Sequence, residues 1–187
     1  MIEGVYMKIW AILLLLIIIL FVIFMLLNFI YNKFQDYIIR INEVEGKIDE
    51  TLRNKYDNIL KINNIIKEKI KTKKELVDDL EDLKDKDLSS FEMHRILTEK
   101  YNKIDFVRKQ YKEVSTSDEV NKLFYEITDM DESLNAYIKF YNENIVGYNK
   151  LIRKVPYNII AIILKYKEKM FFDGKDLYDE NIKDFKL

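Results

Sequence analysis

The chain has 187 residues, 49% of them hydrophobic and 34% charged, with four Gly, one Pro, one His and no Cys. So few Gly and Pro cannot punctuate a chain of many short strands, which excludes an all-β sandwich, and the wealth of apolar residues excludes disorder. Thirty-one basic residues against 32 acidic ones leave no basic excess for nucleic-acid binding, and the lack of Cys removes disulfides, thiolate metal sites and a Cys nucleophile.

The first thirty residues set the expected location. Ile9 to Asn32 is a run of 24 residues without a charge, unbroken in apolar character from Ile9 to Leu27. As a helix it reaches about 36 Å, enough for a hydrocarbon core of about 30 Å with some tilt. Trp10 and Tyr31 stand at the two edges, where amphipathic rings favour the interface, and Lys8 and Lys33 close the ends. A cleaved signal peptide is the rival reading. Its apolar region is normally shorter and ends in small residues, which Asn28-Phe29-Ile30-Tyr31-Asn32 does not offer. The expected organisation is a leader at 1–8, a transmembrane helix at 9–32 whose partner is the lipid bilayer, and one domain at 33–187. Lys33, Arg40 and Lys47 follow the apolar run and Lys8 alone precedes it, so the positive-inside rule favours a cytoplasmic C-terminal domain.

The remainder predicts helix almost throughout. Phe34, Ile38, Ile41, Ile48, Leu52, Tyr56, Ile59, Ile66 and Ile70 follow the three-and-four spacing of one helix face. Leu76, Leu80 and Leu83 extend it to about residue 85, with a possible break at Lys71–Lys74. Ser89 and Glu92 form a capping box that opens a second helix carrying Leu97, Tyr101, Ile104 and Tyr111. Thr116-Ser117-Asp118-Glu119 signals a third start. From there Val120, Leu123, Ile127, Met130, Leu134, Tyr137, Tyr141, Ile145, Tyr148, Ile152 and Val155 hold a heptad-like repeat. Pro156 suits the first turn of a fourth helix, expected to hold Ile159 to Leu164 and to end before Phe171-Phe172, with Gly174 as its stop. The segment after Pro156 is expected to dock back and bury Ile159, Ile160, Ile162, Ile163, Leu164, Phe171 and Phe172. The fold class that follows is all-α: an N-terminal transmembrane helix and then an antiparallel up-and-down four-helix bundle.

Two stretches are similar to a known family. Tyr31-Asn32, then Ile48-Asp49 seventeen residues after the Tyr, with Leu52, Arg53 and Asp57, resembles the opening signature of the LemA family. Tyr141-Asn142, Tyr148-Asn149, Pro156, Asn158-Ile159-Ile160-Ala161, Lys167 and Phe171-Phe172 resemble its closing signature, and Tyr111, Leu123, Glu126 and Ile127 fit the weaker segment before it. The resemblance covers roughly 32–62 and 111–173, leaving 63–110 matched only in helical character. This chain has Val44-Glu45 where the family usually has Ala-Trp, Leu60 in place of a Pro, and Lys165 in place of a Gly. The resemblance implies a bacterial, single-pass membrane protein with a helical bundle, and brings no catalytic mechanism.

Few residues carry chemistry. His94, the only His, reads as a helix-surface residue beside the capping box. Asp78, Asp79, Glu81, Asp82, Asp85 and Asp87 form an acidic run with oxygen ligands for a hard cation, but without EF-hand spacing; a solvated bundle end explains it equally well. Lys67, Lys69, Lys71, Lys73 and Lys74 form a basic run that suits anionic lipid, a partner, or an exposed helix face. Tyr141 and Tyr148 share a helix face, and Asn142 and Asn149 beside them suit fixing the register between helices, with a ligand pocket as the alternative. Asp49 and Arg53, at i and i+4, suit a salt link or a polar contact within the bundle. No catalytic residue, metal ligand or cofactor is assigned, and the signature residues read as structural. The functional expectation is a non-catalytic scaffold with a protein partner that the sequence does not identify, and an oligomeric state it leaves open. The alternative is a membrane-bound, metal-dependent hydrolase using the acidic run at 78–87.

Overall fold

The computed structural model describes residues 2–70, 80, 82, 83 and 86–175, with backbone alone for 2–5 and 7. The protein is all-α, without a strand among the described residues: α1 Ile2–Lys69, α2 Ser90–Gln110, α3 Lys112–Ser115, α4 Asp118–Arg153 and α5 Tyr157–Ile163. At 68 residues α1 is about 100 Å long. Lys8 to Phe29 are exposed around the whole circumference, and burial begins at Ile30 with no interruption of the helix.

Local signals explain most of the boundaries. At the start of α2 the Ser89 hydroxyl accepts from the Glu92 N–H at 3.3 Å, while Ser89 N–H donates to the Glu92 carboxylate at 3.0 Å. That contact holds Glu92 below the usual glutamate pKa. Tyr111 is extended, so the chain breaks there and re-forms the short α3, a step the periodicity did not foresee. The first helix stops at Lys69 and does not continue to residue 85; the basic run at 71–74 lies outside the described residues. Leu80 and Leu83 are nevertheless buried in the core.

The last helix departs furthest from expectation, because α5 ends after seven residues. Leu164 caps it, Lys165 takes a left-handed conformation at φ 56°, and Tyr166 N–H reaches the Ala161 carbonyl at 2.8 Å while Lys165 N–H reaches that of Ile162 at 3.2 Å. These two bonds make a Schellman stop. A Gly is the residue best suited to that conformation, and Lys165 is where the family usually has one. Beyond it the chain climbs beside α4 without helix as far as a turn at Phe172–Gly174.

Cross-helix contacts give the directions. Phe34 meets Tyr148, Lys55 meets Asp131 and Asn58 meets Glu126, so α1 and α4 are antiparallel. Ser90 sits at Asp49 and Tyr101 beside Lys55, so α2 runs the same way as α1. The core has two parts. One packs α1 from Val44 to Ile66 against α2, α3 and the first half of α4. The other gathers Ile30, Phe34 and Ile41 of α1 with Ile145 and Tyr148 of α4, Ala161 of α5, and Tyr166 and Phe171 of the tail. The helix pair α1–α4 is thus continuous, while its third wall changes from α2 to α5 and the tail. Gly147 permits close approach in the second part, since a Cβ there would lie 2.4 Å from Cε1 of Tyr37.

The tail docks as expected, but its apolar residues divide. Ala161 is buried and Tyr157, Ile160, Phe171 and Phe172 are half-buried, whereas Val155, Ile159, Ile162, Ile163 and Leu164 are exposed. A single short helix against two others can turn only one side inward.

Candidate functional site

Three polar constellations stand out. The first lies at the centre of the bundle. Lys55 follows Leu52 on the buried face of α1 and is fully buried; its ammonium donates to Asp131 Oδ1 of α4 at 2.5 Å and lies 5.8 Å from the centre of the Tyr101 ring. Asp131 keeps about a third of its side-chain surface in water. One turn on, Asn58 donates to Glu126 Oε2 at 2.9 Å. Burial holds His94 below the ordinary histidine pKa, the Lys55 charge lowers it further and Asp131 opposes both. His94 is half-buried, edge-on to Phe172 at 6.3 Å, where an exposed position on the helix surface was expected. Burial also raises the Tyr101 hydroxyl. A buried ammonium needs its carboxylate, so this cluster ties α1 to α4 in one register.

The second constellation is the pair of signature asparagines. Both polar atoms of the Asn149 side chain are used: Nδ2 donates to the Lys169 carbonyl at 2.8 Å and Oδ1 accepts from the Lys169 N–H at 2.9 Å. Asn142 Oδ1 accepts from the Phe172 N–H at 2.9 Å. They bind the backbone of the tail, so the register they fix is between α4 and a non-helical segment, not between two helices. Phe172 thereby stands edge-on to Phe91, His94 and Tyr141. Tyr148 packs edge-on against Phe34, and burial raises its hydroxyl pKa, as it does for Tyr141. Arg153 at the end of α4 pairs with Glu168 of the tail.

The third is an open cleft of about 510 Å3 between α1 and the start of α2. Asp49, Leu52, Arg53 and Asp57, four residues of the opening signature, line it together with Lys86 and Ser90. Asp49 accepts from the Ser90 hydroxyl at 2.6 Å instead of pairing with Arg53. Arg53 and Asp57 are exposed, offering the cleft one charge of each sign.

The remaining signature residues scatter. Ile48 and Ala161 are core; Tyr31, Asn32 and Tyr111 are exposed, Tyr111 at the α2–α3 break. Pro156 follows a cis peptide bond at the head of α5, and Asn158 is half-buried beside it. Among the described residues no three His, Asp or Glu side chains gather as metal ligands. Asp78, Asp79, Glu81 and Asp85 of the acidic run fall outside the described residues.

A model of the LemA family matches residues 45–183, taking in the opening signature from Ile48 onward, the closing signature and the segment between them. The chain belongs to the LemA family. The match begins after Tyr31-Asn32, and it spans 63–110, where residues alone showed only helical character. Comparison with curated proteins and with solved structures finds no match. Within this LemA chain, Lys55, Asp131 and Asn58 were not singled out from sequence. One signal was available: Lys55 falls in the series Ile41, Val44, Ile48, Leu52, Lys55, Ile59, Ile62, Ile66, all of which are buried.

Proposed function

We propose that this LemA protein is a single-pass, membrane-anchored interaction protein of the bacterial cell membrane, non-catalytic, with its bundle on the cytoplasmic side. One observation carries the reading: the apolar stretch and the bundle share one uninterrupted helix, exposed on all sides from Lys8 to Phe29 and buried along one face from Ile30 onward. A stretch with mean hydropathy 3.5 and no covering protein is costly in water and stable in hydrocarbon. Lys33, Arg40 and Lys47 beyond it support the cytoplasmic placement. The cleft with Arg53 and Asp57 suits a protein partner better than a reaction, because two exposed charges on one helix supply recognition without an activated nucleophile.

The test uses the full chain captured from detergent-solubilised membranes, beside a variant carrying Arg53→Glu and Asp57→Lys. A protein recovered with the first and lost with the second supports the reading. A hydrolytic activity of the purified full chain, abolished by chelator together with a bound metal, contradicts it. Protease added to intact cells should leave the bundle uncut; digestion without lysis overturns the orientation.

A further inference from the structure

We infer that α5 and the turn before it lie in the interface of the same bilayer that α1 crosses, with Val155, Ile159, Ile162 and Ile163 facing lipid. The inference rests on the anchor reading above and adds a second, monotopic contact to it.

The level of α5 along α1 is fixed by contacts. Tyr157 and Tyr166 both meet Phe34, at ring distances of 6.3 and 5.1 Å, and Gln35 donates to the Tyr166 hydroxyl at 3.0 Å. Ala161 shares its buried cluster with Ile30. Ile30 is three residues past Leu27, the end of the unbroken apolar run. The far end of α4 agrees. Tyr148 faces Phe34, and Arg153 is five residues farther toward the apolar segment, about 7.5 Å. The turn at Lys154–Pro156 is therefore level with the last residues of that segment.

The exposed side chains at this level are the wrong kind for water. Val155 is 68% exposed, Ile162 76% and Ile163 66%, and Ile159 completes one stripe opposite Ala161. Half-buried Tyr157 and Tyr166 pack on Phe34 at this level, exposed Tyr31 and Lys33 adjoin it on α1, and exposed Lys154, Lys165 and Lys167 flank α5 in sequence, with stems long enough to reach headgroups. Apolar residues on one side of a short helix, basic residues flanking it in sequence and an anchor at the same height together describe an interfacial helix. The continuity with the apolar run of α1 selects lipid over a second protein chain.

The natural chain has no Cys, so single-cysteine variants of the full chain can carry an environment-sensitive fluorophore in phosphatidylcholine–phosphatidylglycerol vesicles. The sites are Ile159→Cys and Ile162→Cys on α5, Phe21→Cys in the anchor, and Tyr125→Cys, exposed toward the opposite end of α4. All four replace exposed side chains, so folding is preserved. The expected result is blue-shifted emission, quenched by nitroxide-labelled lipid, at Phe21, Ile159 and Ile162 but not at Tyr125. Quenching at Phe21 with none at Ile159 and Ile162 overturns the inference and leaves the anchor standing. Blue-shifted emission on α5 that lipid does not quench overturns it in favour of a protein cover. Absence of quenching at Phe21 removes the anchor and the inference with it.

Discussion

The two halves of the bundle use the same helix pair and hold it by different means. Away from the apolar segment, α1 and α4 are joined through side chains that meet side chains: Lys55 with Asp131, Asn58 with Glu126, and α2 as a third helix. Next to it, Asn142 and Asn149 of α4 bind backbone instead, and the third wall is a one-sided short helix and an extended tail. A helical wall satisfies its own N–H and C=O groups. A non-helical wall does not, and the signature asparagines supply what it lacks. The half that needs them is the one placed beside the apolar segment of α1.

If that contrast holds, the largest effect comes from the central pair. Asp131→Ala should cost about 3 kcal/mol, the low end for a broken buried pair because Asp131 is partly solvated, and it should lower the stability of the whole bundle. Lys55→Met with Asp131→Leu should recover most of the loss; chemical denaturation measures both, and an unchanged single variant breaks the account of that half. Asn149→Ala comes next. Removing two hydrogen bonds to part-buried backbone should cost about 2 kcal/mol, but locally. Trypsin should cut after Lys165, Lys167 or Lys169 about thirtyfold faster, with the helices around Lys55 unaffected. Equal acceleration of cleavage everywhere would erase the distinction between the halves.

Smaller effects sharpen it further. Lys165→Gly should stabilise the second half by about 1 kcal/mol, read as a higher melting temperature, because Gly takes the left-handed stop without a Cβ clash. No gain would mean that the cap is not the strained point. The smallest effect is pH dependence through His94. Its folded pKa is lowered, so the folded state binds protons less readily than the unfolded one. Its contribution is complete above the ordinary value of 6.5 and is lost as pH falls from there through the folded pKa. His94→Gln, removing the only His, should flatten the decline in stability between neutral pH and the range where carboxylates titrate. Glu92 and Glu168, both lowered by their hydrogen-bond partners, lose their contributions only at lower pH, which separates the effects.

The same contrast explains what could be read in advance. Apolar periodicity located α1, α2 and α4, because each buries a stripe against another helix and the spacing of Ile48, Leu52, Ile59 or Leu134, Ile145, Tyr148 records that stripe. The capping box at Ser89 and Glu92 gave the start of α2 to the residue. Lys55 was legible only by accepting a charged residue into an apolar series. That the tail docks was legible; that it does so without helix was not. Its docking depends on side chain–backbone bonds from Asn149 to Lys169 and from Asn142 to Phe172, 20 and 30 residues away, which leave no periodic trace. Ile159 to Leu164 looked like core for a related reason: an apolar run records dislike of water without saying whether protein or lipid replaces it.

One measurement bears most directly on the claim that α1 is both anchor and bundle strut: the intact mass of the protein recovered from cell membranes after alkaline washing. The account predicts the full 22.7 kDa chain in the washed membrane. A soluble species shortened near residue 32 would contradict it, since the bundle would then stand free of the segment proposed to hold it.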